Sequence, residues 1–257
     1  MAVSLPSLLP NLAAIEVDMS PSQANVFISV PSYGAMVPQA IEGLMLATSD
    51  HRYVIKAQGG SLLAYNFNRL WCIALNSREE CGWTHFAMHH ADIEAQPGWV
   101  DKLIAEMNRV GVDLLSVVVP IKDPRGLTST GLMDPKSRRI KRLTMKEIAK
   151  LPRTFTAADT TEPDNILVVN TGLWVCDFTK PWVEEVHFQI LDGIQKNDNG
   201  KFSPLIFSED WNFSAKLQEL GLKVAATNIV EVNHYGHGHY SNQGAWGDWE
   251  SDQGDPF

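Results

Sequence analysis

The chain has few of the residues that would make it a secreted or membrane protein. It has three cysteines, Cys72, Cys81 and Cys176, and none belongs to a CxxC pair. That excludes a paired disulfide framework and fits a reducing compartment. No run of about 18 apolar residues occurs, so no membrane span is expected. No lysine or arginine precedes Arg52. The apolar N-terminal stretch, broken by Pro6 and Pro10, therefore lacks the positive start of a signal peptide. A cytoplasmic location is expected. Basic residues are scarce overall, 21 against 30 acidic ones, and the formal net charge of −9 argues against a general polyanion binder.

What is present is ordinary for a folded domain. A chain of 257 residues with 44% hydrophobic content is long enough to bury a core without metal or disulfide staples. Its charge is unevenly spread. Residues 136–153 carry eight Lys/Arg against one acid, Glu147, or +7 in eighteen residues, which leaves −16 for the rest. Such a run is either a solvated helix face or mobile loop, or a site for a diphosphate or a nucleic-acid backbone. In the second case Arg138, Arg139, Lys141 and Arg142 are the residues that would hold the partner. The segment 241–257 is acidic and Gly-rich yet carries Trp246 and Trp249. It reads as a loop or as a lid over something else.

Short β-forming runs alternate with helical patterns. Strands are expected at 24–30, 54–56, 83–88, 114–120, 166–169, 173–175 and 224–232. Helices are expected at 38–48, with Ile41, Leu44, Met45 and Thr48 on one side, at 61–76, and from Pro97-Gly98 through about 108. The stripe of the third is Val100, Leu103, Ile104 and Met107, and Gly111 is its stop. Ser208 is expected to cap a helix that ends at Gly221. This order implies an α/β fold with a mixed, mostly parallel sheet flanked by helices. In such sheets ligands lie beyond the carboxyl ends of strands. The polar residues directly after apolar runs are therefore the ones to weigh: Pro31-Ser32-Tyr33, His90-Ala91-Asp92, Asn170-Thr171-Gly172, Glu209-Asp210-Trp211 and His234.

The order of these motifs resembles that of GT-A-type glycosyltransferases, in the broad, family-2-like group of inverting enzymes that use nucleotide sugars. The resemblance covers about 25–240. It implies one catalytic domain over 1–240, with a nucleotide-binding half at about 25–120 and an acceptor half at about 121–240. Pro31, Ser32 and Tyr33 would receive the nucleoside, with Asn68, Arg69 and His90 beside it. Asp92 and His234, with His90, would hold Mn²⁺ or Mg²⁺ on the diphosphate of a donor, a UDP-sugar for preference. Asn170, Thr171, Gly172 and Trp211 would lie under the acceptor. Asp210 would be the base, with Glu209 second, and the helix dipole would keep the carboxylate ionised. His90 stands where the family has the first acid of its D-x-D motif, a change that favours softer transition metals. The acceptor is a sugar, a protein, or a hydroxymethylated base in DNA, as in some phage-type enzymes.

The chemistry explains the residue types. A nucleotide diphosphate leaves with extra negative charge, which a nearby cation stabilises, while the acceptor hydroxyl needs a base on the other face of the sugar. Two other readings stay open on the residues alone. One is a zinc hydrolase built on His234, His237 and His239. The other is a binding protein that has lost catalysis, for which His90 in place of an acid is the support.

Overall fold

Val, Ile and Phe alternate between two faces along β1 (Asn25–Ser32), and that period of two fixes the centre of the molecule. The computed structural model describes residues 23–196 and 199–254. The N-terminal stretch with Pro6 and Pro10, and the last three residues of the acidic tail, lie outside the described residues. After β1 come α1 (Pro38–Met45), β2 (Arg52–Gly59), α2 (Leu63–Asn76), α3 (Arg78–Cys81), β3 (His85–His89), β4 (Ile93–Ala95), α4 (Trp99–Val110) and β5 (Leu114–Val117). The second half holds β6 (Leu127–Met133), β7 (Ile140–Thr144), α5 (Met145–Ile148), β8 (Thr154–Phe155), β9 (Ile166–Val168) and β10 (Leu173–Asp177). It closes with β11 (Leu191–Lys196), β12 (Phe202–Phe207), α6 (Glu209–Glu219), β13 (Val224–Thr227), β14 (Val232–Tyr235) and β15 (His239–Ser241).

The central sheet has seven strands in the order β2-β1-β3-β10-β5-β13-β8. All run parallel except β10 and β8. The fold is therefore α/β with a mostly parallel sheet flanked by helices. Neighbouring residues of each strand serve opposite cores. Phe27, Phe86, Leu114 and Trp174 face the aromatic side, which α2 and α6 cover. Val26, Ile28, Ala87, Leu115 and Val175 face the aliphatic side, which α1 and α4 cover. Helix α4 buries Val100, Leu103, Ile104 and Met107, and Gly111 at φ +68° stops it, as the pattern predicts.

Three elements differ from the sequence reading. Helix α1 ends at Met45 and buries Ala40, Gly43 and Leu44, leaving Ile41 and Met45 exposed. The cause is Gly43, where an added Cβ would lie 2.8 Å from the Ala95 carbonyl oxygen, so the helix turns its smallest residue inward for close packing. The run 224–232 is two strands, β13 in the central sheet and β14 in a small sheet β15-β14-β4. The basic run 136–153 is not one element, and Lys136, Arg138, Arg139, Lys150 and Arg153 lie outside any helix or strand. It forms the end of a turn, β7 in a third sheet β7-β6-β9, and α5.

The tail lies along that third sheet. Asp248 N donates to Pro124 O (3.0 Å) and Trp249 N to Arg125 O (3.2 Å). Arg142 N donates to the Asp252 carboxylate (2.9 Å), and Lys146 pairs with Glu250 (2.6 Å). Two glycines permit the approach. A Cβ on Gly126 (φ +76°) would lie 2.5 Å from Trp246 O, and one on Gly247 (φ +107°) 2.5 Å from Arg125 O. Gly247→Ala is expected to lower stability by roughly 1–3 kcal/mol, through both the clash and the left-handed backbone. Limited proteolysis should then cut first near residue 247, and an unchanged melting point and cleavage pattern would show that the tail tolerates displacement.

Candidate functional site

From β1 the chain passes to β2 on one side and then to β3 on the other, so the strand order reverses between β1 and β3. A crevice opens at such a switch point, beyond the carboxyl ends of the strands. Here it is a cavity of ≈ 240 Å³ lined by Pro31, Ser32, Tyr33, Leu63, His90 and Asp92 among others. Two of the motifs read from the sequence therefore meet in one hollow. Tyr33, one of the lining residues, is 77% exposed.

Asp92 and His234 are brought together by strand pairing. β4 begins directly after Asp92 and pairs with β14, with His234 opposite Ile93. Tyr235 N donates to Asp92 O (2.8 Å). The side chains follow, and His234 Nε2 lies 3.5 Å from Asp92 Oδ2. His234 Nδ1 is held by the Pro120 carbonyl (2.7 Å), which fixes the ring. A third residue joins them. Lys122 Nζ donates to Asp92 Oδ2, and its stem crosses Gly236, where a Cβ would lie 2.9 Å from Lys122 Cδ. Burial works to raise the Asp92 pKa, but hydrogen bonds from His234 and Lys122 outweigh it and hold the carboxyl well below the usual range.

His90 connects this corner to the next. Its N–H donates to Gly172 O (2.8 Å), its ring packs on Phe67 with centroids 5.2 Å apart, and its Nε2 is buried with no hydrogen-bond partner. Burial pushes its pKa down to about 4, against the pull of Asp92. It is thus a neutral ring at neutral pH. Asn170 spends its side chain on the loop itself, accepting from Gly172 N (2.7 Å) and donating to Val117 O. A Cβ on Gly172 would lie 2.8 Å from Ile93 Cδ1, so a larger residue there would have to move the Ile93 side chain. Thr171 turns the other way and donates to Asp210 Oδ1 (2.5 Å).

Asp210 lies in the first turn of α6, where Ser208 occupies the capping position without making the side-chain bond. The helix dipole expected to keep this carboxylate ionised is opposed by its surroundings. Burial, then repulsion from Glu209, raises the Asp210 pKa to about 7, against the hydrogen bonds of Thr171 and the charge of Arg142. Burial raises Glu209 as well. The next residue, Trp211, carries the Arg142 guanidinium over its ring at 5.3 Å and meets Phe207 edge-on.

Other expected residues stand elsewhere. Asn68 is consumed by the Phe188 backbone, donating to its O (2.7 Å) and accepting from its N (2.8 Å). Arg69 is exposed, and neither residue lines the cavity. Much of the basic run is engaged within the chain. Lys141 pairs with Glu162 (3.3 Å) and Glu147 (3.5 Å), and Arg138 lies over Phe207 at 4.7 Å. Among the described residues no three His, Cys, Asp or Glu side chains are grouped to hold a metal, His237 and His239 included. Sequence reasoning missed Lys122. Its signal was position, since it is the first charged residue after the buried 114–120 run, as Asp92 is after β3.

No family model and no curated protein matches the sequence. Solved structures do. The STIV protein A197 is 15% identical, with a TM-score of 0.50 over 83% of this chain and 86% of its own. An Entamoeba histolytica protein assigned provisionally as a UDP-N-acetylglucosamine pyrophosphorylase is 11% identical, with a TM-score of 0.41 over 80% of this chain and 74% of its own. A UDP-glucose pyrophosphorylase complexed with UDP-glucose is 10% identical, with a TM-score of 0.37 over 85% and 92%. At these identities the likeness to A197 is one of fold. No helix among the described residues is long and apolar enough to cross a membrane.

Proposed function

We propose that this chain transfers a glycosyl group from a nucleotide diphosphate sugar to an acceptor hydroxyl, as the motif order it shares with GT-A-type enzymes suggests. One observation carries the reading. The cavity at the β1–β3 switch point is joined through His90, Gly172 and Thr171 to a half-buried carboxylate, Asp210. A donor lying in the cavity, with its nucleoside against Pro31, Ser32 and Tyr33 and its diphosphate beside Asp92, would carry its sugar towards the Gly172–Thr171 segment that leads to that carboxylate.

The chemistry follows from the residues. The acceptor oxygen attacks the anomeric carbon and loses its proton to Asp210. The bond from that carbon to the diphosphate oxygen breaks, and its electron pair leaves with the diphosphate. A base with a pKa near 7 is matched to this work at neutral pH. Thr171 holds one Asp210 oxygen, which aims the other. Trp211 supplies a ring for a sugar-like acceptor, with the Arg142 guanidinium over one of its faces.

The Mn²⁺ or Mg²⁺ implied at Asp92 and His234 does not suit the residues found there. The site has one carboxylate, not two, because position 90 is a histidine, and no third His, Cys, Asp or Glu is grouped there among the described residues. The Asp92 oxygen that such an ion would need already faces Lys122 Nζ and His234 Nε2. A zinc hydrolase meets the same difficulty, lacking a third grouped ligand among the described residues.

A thermal-shift screen of nucleotide sugars tests the reading, since a ligand that binds only the native state raises the melting point. A UDP-sugar is expected to raise it by several degrees and, with acceptor mixtures, to release UDP. A screen in which no nucleotide sugar shifts the transition would end the proposal.

A further inference from the structure

The corner that in a metal-dependent enzyme would be acidic is electrically balanced here. Asp92 brings one negative charge and Lys122 one positive, and the imidazole of His234 completes the group. Such a corner has little to attract a divalent cation, but an arriving diphosphate finds an ammonium in place. Lys122 is also held rather than loose. Its stem lies on Gly236, its head on Asp92, and the 121–126 loop that carries it is fastened by Ile121 N to Leu127 O (2.8 Å) and by the tail at Pro124.

We propose that Lys122 is the cation of this active site: its ammonium binds the diphosphate of the donor and takes up the charge of the leaving group, so that neither step needs a divalent metal. The inference rests on the donor reading above and names the group that serves it. Asp92 is then a positioning residue, which holds Lys122 beside the cavity until the diphosphate competes for it. In the transfer step the carbon–oxygen bond to the diphosphate breaks as the acceptor bond forms. The electron pair stays on the departing oxygen, the Lys122 ammonium donates a hydrogen bond to it, and the acceptor proton goes to Asp210. No co-reactant is required. Charge-assisted bonds of this kind are short and about twice as strong as neutral ones.

UDP binding measured by titration calorimetry tests this, in EDTA and again with Mn²⁺, on the wild type, Lys122→Met and Lys122→Arg. The wild type is expected to bind UDP with the same affinity, within about twofold, under both conditions. Lys122→Met should lose roughly tenfold or more, and Lys122→Arg should recover most of it. In turnover Lys122→Met should reduce kcat by about 10²-fold, the loss typical of a charge-stabilising donor. Two results overturn the inference while leaving the donor reading intact: a wild type that binds UDP only with Mn²⁺, or a Lys122→Met protein that binds as the wild type does. A wild type that binds UDP in neither buffer overturns this inference, and overturns the donor reading as well if no nucleotide sugar shifts the melting point. The side chain is about one-third exposed (37%), so the variants are expected to fold, and the chelator comparison needs no variant.

Discussion

Asp210→Asn is expected to cut glycosyl transfer by about 10²- to 10⁴-fold while leaving UDP binding unchanged. The amide keeps the shape and the bond from Thr171 but cannot take the acceptor's proton. The same change should alter the pH dependence of stability. In the folded chain burial and Glu209 raise the Asp210 pKa to about 7, whereas an unfolded aspartate titrates near ~4. Between those values the folded state holds more protons than the unfolded one, so this group's contribution to stability falls as pH rises through the window. Glu209, also raised, acts in the same direction. Asp210→Asn removes part of that loss. Its melting point should exceed the wild type's at pH 8 and match it near pH 4. Wild-type transfer should in turn decline as pH drops below about 7, as the base becomes protonated. A variant that retains near-native transfer would move the base elsewhere, and one with no gain in stability at pH 8 would show that the carboxylate is not disfavoured by its surroundings.

Trp71→Ala is expected to cost about 3–5 kcal/mol. Trp71 lies at the centre of the aromatic side of the core. Its ring centroid is 4.6 Å from that of Phe86, 5.0 Å from Phe178 and 6.0 Å from both Trp174 and Phe188. Its indole N–H donates to Val183 O (2.9 Å), which would lose its partner along with the packing. Against a typical total of about 5–15 kcal/mol, such a loss leaves little margin. Trp71→Phe keeps most of the buried area but not the hydrogen bond, and should cost clearly less. Denaturant midpoints for the pair decide the matter. A Trp71→Ala loss under about 1 kcal/mol would mean that the cluster closes over the gap.

How far the sequence spoke depended on how local the cause was. β1, β3 and β5 are buried on both faces, so their apolar runs stand out, and the carboxyl ends of β1 and β3 lead to residues that line the cavity. Helix α4 was legible because its stripe and its glycine stop agree. Helix α1 was not, because Gly43 meets Ala95 through a contact between distant segments that periodicity does not record. The split of 224–232 was hidden because both pieces are apolar, and only sheet membership separates them. Asn68 sat on the expected helix, but its partner is 120 positions away at Phe188, and nothing in the local pattern says so. The same holds for Lys122, whose meaning comes from Asp92 and Gly236. The raised pKa of Asp210 has a related cause: the dipole of its own helix is visible in the sequence, while the desolvation that opposes it is not.

The close seating of Gly247 on Gly126 also makes one loop depend on a distant stretch of sequence. Every strand of the central sheet is complete by Thr227, so that sheet can form without residues 246–249. The loop bearing Lys122 is different, because residues 246–249 clasp it at Pro124, Arg125 and Gly126. A chain cut before residue 246 is expected to keep its core and to lose the brace on that loop, so that Lys122 is less firmly placed while the sheet beneath it stands.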